Sequence, residues 1–73
     1  MVNKSKHRKL IGANIRKYRK KKGLSQEKLA EKADLHPVYI SQVECAERAI
    51  TIDSLLRITK AMGIRLRNIL GDP

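Results

Sequence analysis

The sequence predicts an all-α fold, a compact bundle of five short helices. Three observations predict it. Apolar residues recur at three- and four-residue spacing in successive short segments, helix-starting and helix-ending residues fall between those segments, and no alternating β-branched run bounded by hairpin turns occurs. In the first segment Ile11, Ile15 and Tyr18 share a stripe through residues 8–22, with bases on the other sides, which predicts an amphipathic helix ending at Gly23. Its tail, Lys20-Lys21-Lys22, suits the negative end of the helix dipole. Ser25 is a good N-cap for a second helix over 26–33, Glu27 favours its first turn, and Leu29, Ala30 and Ala33 form a small inward face.

Asp34 follows, a residue type that tolerates the left-handed conformation of a tight interhelical turn, with Leu35 as an apolar plug beneath it. Pro37 can occupy the first position of a helix, where its missing N–H is no loss. The helix it opens, 37–45, turns Ile40 and Val43 inward and shows Val38, Ser41 and Gln42 to the outside. After a loop through Ala46–Ile50, Thr51 caps a fourth helix whose Leu55, Ile58, Thr59 and Met62 share one face until Gly63 ends it. A short fifth helix near Leu66–Leu70 closes the fold. Residues 1–6, a basic N-terminal stretch, and Asp72-Pro73 read as tails, leaving a core of about 8–70 in a single domain over residues 1–73.

Composition narrows the function classes. No stretch approaches the roughly 18–20 apolar residues that span a bilayer, and the charged start lacks an apolar signal core, so a cytoplasmic protein is expected. Cys45 has no second cysteine to pair with, and His7 and His36 are too few for a three- or four-ligand metal site, so no metal or other cofactor is expected. No nucleophile stands in a recognisable motif and no carboxylate or histidine pair is set up for proton transfer, which argues against an enzyme and gives no reason to expect a small-molecule ligand.

The net charge of +10 is unevenly spread: residues 1–22 hold ten bases and no acid, and from Gly23 onward seven bases meet seven acids. A one-sided positive field attracts a polyanion. A solvated helix face, or a cationic helix resting on a membrane surface or a partner, would also account for the first segment taken alone. The next two helices favour the polyanion. Two short helices joined by a tight turn, the second exposing small and polar side chains, form the arrangement that enters the major groove of double-stranded DNA.

The run Gln26-Glu27-Lys28-Leu29-Ala30-Glu31-Lys32-Ala33-Asp34-Leu35-His36-Pro37-Val38-Tyr39-Ile40-Ser41-Gln42-Val43-Glu44 resembles the helix-turn-helix of the Cro and phage-repressor (XRE-like) regulators. The resemblance extends over roughly 11–70, and Ala30, Leu35, Ile40 and Val43 fall where that family packs its two helices together. It implies a lambda-repressor-like five-helix fold. Tyr39-Ile40-Ser41 and Glu47-Arg48-Ala49-Ile50-Thr51-Ile52-Asp53-Ser54-Leu55 are further similar to the controller proteins of restriction-modification systems, dimeric regulators that bind operators ahead of their own gene and the endonuclease gene. A generic or phage-type repressor and an antitoxin-like regulator stay open beside that. The family usually has glycine at the positions of Asp34 and Ala46, so these two turns are candidates for a different shape.

The side chains then divide by role. Gln42 is the first candidate for reading a base, since its amide can donate to and accept from adenine, and it matches a base-contacting position of the family. Ser41 can meet a base or a phosphate and Val38 a thymine methyl; with Pro37 it stands where controllers often carry a basic residue and a threonine. Gln26 begins the second helix, whose free N–H groups favour a phosphate, with Lys28 nearby. Arg48 resembles a backbone-contacting position. Tyr39 either gives its hydroxyl to a phosphate or packs in the core, and His36 either meets a phosphate or caps the third helix. Arg19 and Glu44 match a family pair bridging the first and third helices. Leu56, Ile64, Leu66, Ile69 and Leu70 supply more apolar side chains than one short helix needs, which predicts a homodimer and a roughly palindromic operator.

Overall fold

The computed structural model describes residues 4–71 and contains five α-helices among them: α1 (Lys4–Lys21), α2 (Gln26–Ala33), α3 (Pro37–Glu44), α4 (Ile52–Met62) and α5 (Leu66–Leu70). The starts are set by side-chain caps. Ser25 accepts from the Lys28 N–H, Thr51 accepts from the Ser54 N–H at 3.1 Å, and Pro37 occupies the first turn of α3.

The first four helices end in the same way. A residue in the left-handed conformation follows each one: Gly23 (φ 71°), Asp34 (φ 56°), Ala46 (φ 62°) and Gly63 (φ 67°). In each case the next residue's N–H returns to a carbonyl five positions back, as Leu24 does to Arg19 and Leu35 to Ala30. The two turns that lack glycine therefore keep the glycine shape, at a cost of about 1 kcal/mol or more each for the left-handed side chain. Asp34 recovers part of this through Arg57, which donates to its carbonyl at 3.3 Å and pairs with its carboxylate at 3.6 Å.

Each helix contributes to one core. Ile15 of α1, Leu29 of α2, Ile40 of α3, Leu55 and Ile58 of α4 and Ile69 of α5 are fully buried, each by roughly 1.5–3 kcal/mol of transfer free energy. The inward faces expected for α2, α3 and α4 are the ones observed. Three expectations change. Residues 4–6, expected in the tail, belong to α1, because no glycine or proline stands between Lys4 and Arg8 to stop the helix from extending; residues 1–3 and 72–73 lie outside the described residues. The third helix ends at Glu44, with Cys45 as its cap. Ile69, expected to face a second subunit, is fully buried within its own chain, since a five-residue helix with one inward position uses that position to close the core.

Two residues of α1 fix how that helix lies. Asn14 is buried in the apolar stripe, and its amide donates to the Ile69 carbonyl at 2.7 Å and the Gly71 carbonyl at 3.1 Å, so α5 hangs from α1. Gly12 sits against the end of α3, where a Cβ would meet the Val43 and Glu44 carbonyl oxygens, the latter at 2.7 Å. Gly12→Ala tests the close approach. Alanine is the better helix former by about 1 kcal/mol, but the added methyl collides with backbone that cannot rotate away, an overpacking that costs about 1–3 kcal/mol. The expected outcome is a melting temperature lower by several degrees, at about 4–8 °C per kcal/mol for a chain of this size. A higher melting temperature by circular dichroism would refute the contact.

Candidate nucleic-acid interface

The interface is built outward from one buried cluster. Arg19 reaches from α1 to α3, donating from Nε to Glu44 Oε2 at 2.6 Å and from Nη2 to Oε1 at 3.0 Å. Its Nη1 donates to the Leu24 carbonyl at 2.8 Å, and Gln26 Nε2 donates to the same Glu44 Oε1 at 3.0 Å. The Arg19 and Glu44 side chains are 10% and 3% exposed, so this is a desolvated fork rather than a surface pair. It ties α1, α2 and α3 together and holds the Gln26 amide in one orientation.

That orientation bears on the start of α2. The Ser25 cap satisfies the Lys28 N–H and leaves those of Gln26 and Glu27 at the positive end of the helix, without acceptors among the described residues. They open on a shallow groove shared with Pro37, Val38 and Ser41 of α3. Lys28 is exposed and pairs loosely with Glu31 at 3.8 Å.

On α3, burial of Ile40 and Val43 turns the opposite face outward. Val38 is 55% exposed, and Ser41, Gln42 and Pro37 are half-buried. Cys45, read from the sequence as a small helix-end residue, is exposed on the same side, one turn beyond Ser41. The flanking residues His36 and Tyr39 each have a structural task. The exposed His36 caps α3, its Nδ1 accepting from the Val38 N–H at 3.1 Å, which places the neutral ring's proton on Nε2. Tyr39 packs against the core while its hydroxyl oxygen accepts from the Thr51 N–H at 3.2 Å, a bond that leaves the phenolic proton to donate elsewhere. The exposed Arg48 guanidinium lies over the Tyr39 ring, 5.6 Å from its centroid. For both His36 and Tyr39 the two roles weighed from the sequence are compatible.

Of the apolar residues assigned from the sequence to a second subunit, Leu56 is 50% and Leu70 45% exposed, whereas Ile64 and Leu66 are partly buried against the core. Ile52, not singled out beforehand, is 68% exposed and stands one turn before Leu56 on α4. Its signal was the same i, i+4 spacing. Asn14 and Gly12 were also missed; Asn14 was detectable as a polar residue three after Ile11 and four before Tyr18, inside the apolar stripe.

Two short helices locked by a buried fork, with a polar face on the second and free N–H groups at the start of the first, define a helix-turn-helix DNA-binding transcriptional regulator. The chain belongs to the helix-turn-helix family HTH_3, whose model matches residues 15–69. It is 41% identical over 62 residues to control protein C.BamHI of Bacillus amyloliquefaciens, covering 84% of this chain and 76% of that one. It is 39% identical over 61 residues to control protein C.SmaI of Serratia marcescens, covering 84% and 73%. The solved restriction-modification controller protein C.AhdI from Aeromonas hydrophila superposes with a TM-score of 0.83 at 32% identity, over 85% of this chain and 94% of that one.

The buried fork yields a direct test. Glu44→Ala strands the Arg19 charge in a desolvated site, a change that typically costs about 3–5 kcal/mol. Thermal melting should fall steeply, before any change in which DNA is chosen. Unchanged melting with an altered site preference would show that Glu44 reads DNA instead of holding the helices.

Proposed function

We propose that this protein is a restriction-modification controller, acting as a homodimer on a roughly palindromic operator with α3 in the major groove of each half-site. The observation that carries the reading is the outward face of α3, where exposed Val38 and half-buried Ser41 and Gln42 lie opposite the buried Ile40 and Val43, with Val38 and Ser41 beside the free N–H groups that open α2. Gln42 reads a base through its two-ended amide, Val38 offers its methyls to a thymine, and Ser41 and Pro37 border the contact. Gln26, Lys28, His36, Tyr39 and Arg48 hold phosphates: Gln26 with its second amide hydrogen, His36 with Nε2–H, Tyr39 with its phenolic proton. The similarity to C.BamHI, C.SmaI and C.AhdI supports the controller role.

Ile52 and Leu56 on α4 with Leu70 on α5 provide exposed apolar area for the second subunit, extended by the partly buried Ile64 and Leu66. Two-fold symmetry in the protein then calls for two-fold symmetry in the operator. A membrane-surface role for α1 is disfavoured because its apolar stripe, Ile11, Ile15 and Tyr18, is packed into the core.

Reading and holding separate in one experiment, with binding measured on the operator and on scrambled DNA at several salt concentrations. Gln42→Ala should cost about 1–3 kcal/mol on the operator and little on scrambled DNA, with the salt slope unchanged. Arg48→Ala should weaken both and flatten the log–log slope by up to about one unit. Gln26→Ala, which removes no charge, should weaken both and leave the slope alone. Equal weakening of both DNAs by Gln42→Ala would contradict the assignment of Gln42 as the base reader.

A further inference from the structure

The start of α1 is basic, with Lys6, Arg8 and Lys9 in its first turns. Arg8, Gly12 and Arg19 lie on one face of that helix, spaced by four and seven residues. Gly12 lets this face approach the end of α3, and Arg19 locks it there through Glu44. Arg8, one turn before Gly12, is thereby carried over the loop that follows α3. A cleft of about 360 Å³ lies between them, with Ile11, Val43 and Ile50 as its apolar lining and His7, Arg8 and Arg48 as its charged and polar groups. Among the described residues no acidic side chain lines it. Arg48 is steadied by the Tyr39 ring, and the apolar floor strengthens the field of the two guanidinium groups by keeping water from beneath them.

We propose that this cleft is a second phosphate-binding site for duplex DNA, in which Arg8 joins Arg48 and His7 adds a ring N–H. The proposal rests on the DNA-binding reading of α3 and extends it. The groove at the start of α2 adjoins the first residues of α3, whereas the cleft adjoins Val43 near its end. The two grooves share no lining residue, so they offer a duplex two separate anchoring points beside the reading helix. Phosphate contacts of this kind fix the register in which the bases are read.

The test uses the full chain and a 30-base-pair duplex of random sequence, because phosphate contacts are indifferent to sequence. Arg8→Gln should lower the log–log salt slope by up to about 0.9 and weaken binding about five- to tenfold at 0.1 M salt. Arg8→Lys should restore the slope. Lys60→Gln removes the same charge from α4, outside the lining of either groove, and should leave the slope near that of the parent protein. Combining Arg8→Gln with Arg48→Gln should cost less slope than the two losses added, since both residues grip one phosphate. Melting curves run alongside separate a folding defect from a lost contact, and Arg8→Lys keeps the test readable if Arg8→Gln folds poorly. An unchanged slope in Arg8→Gln, or the same loss in Lys60→Gln, overturns the second site. Failure of the parent protein to bind any duplex would instead overturn the reading beneath it.

Discussion

The buried fork between Arg19 and Glu44 is the constraint on which the reading surface depends. Glu44 accepts three hydrogen bonds, two from Arg19 and one from Gln26, so a single carboxylate sets α3 against α1 and α2. Both charges are largely withdrawn from water, and the pair repays its desolvation only when its donors are in place. The geometry is therefore specified, because a small displacement of any one helix would leave a charge unpaired. In a core of ten buried apolar residues among those described, a network of this kind selects one arrangement among several of similar apolar burial.

From that cluster the proposed DNA-binding surface extends in two directions along α3. Toward its start, the Gln26 amide is held by Glu44 while its backbone N–H remains at the positive end of α2, so one residue serves the fold with part of its side chain and has donors left for a ligand. Toward its end, Gly12 permits the close approach that brings the first turns of α1 over the loop carrying Arg48. One base of the excess in residues 1–22, Arg8, is in this way placed in the cleft beside Arg48 and the end of α3.

Much of this was legible in the sequence. Ser25, Pro37, Thr51 and Gly63 marked helix boundaries because each acts locally, through a cap, a fixed φ or a left-handed turn, and the structure keeps all four. Ile40, Val43, Leu55, Ile58 and Met62 were legible as core because their spacing matches the helical period. Asp34 and Ala46 showed the limit of composition: the turns keep the shape glycine would favour, since the return hydrogen bonds and the packing of Leu35 fix the backbone over the objection of the side chain. Gly12 was opaque because its reason is the backbone of a helix thirty residues away. Ile69 was misassigned because Leu66, Ile69 and Leu70 are all apolar, and only the position of α1 decides which of them points inward. The start of α1 was set too late because the apolar stripe that marked the helix begins only at Ile11.

The proposed function makes one geometric claim: one α3 per half-site, presented twice by a symmetric pair of chains and read through base edges. Selection of bound duplexes from a random pool at near-physiological salt tests that claim most directly. It should enrich an inverted repeat whose half-site centres lie about 10–10.5 base pairs apart, or a multiple of that spacing. Enrichment of a single unrepeated site, or no enrichment above background despite binding, would contradict it.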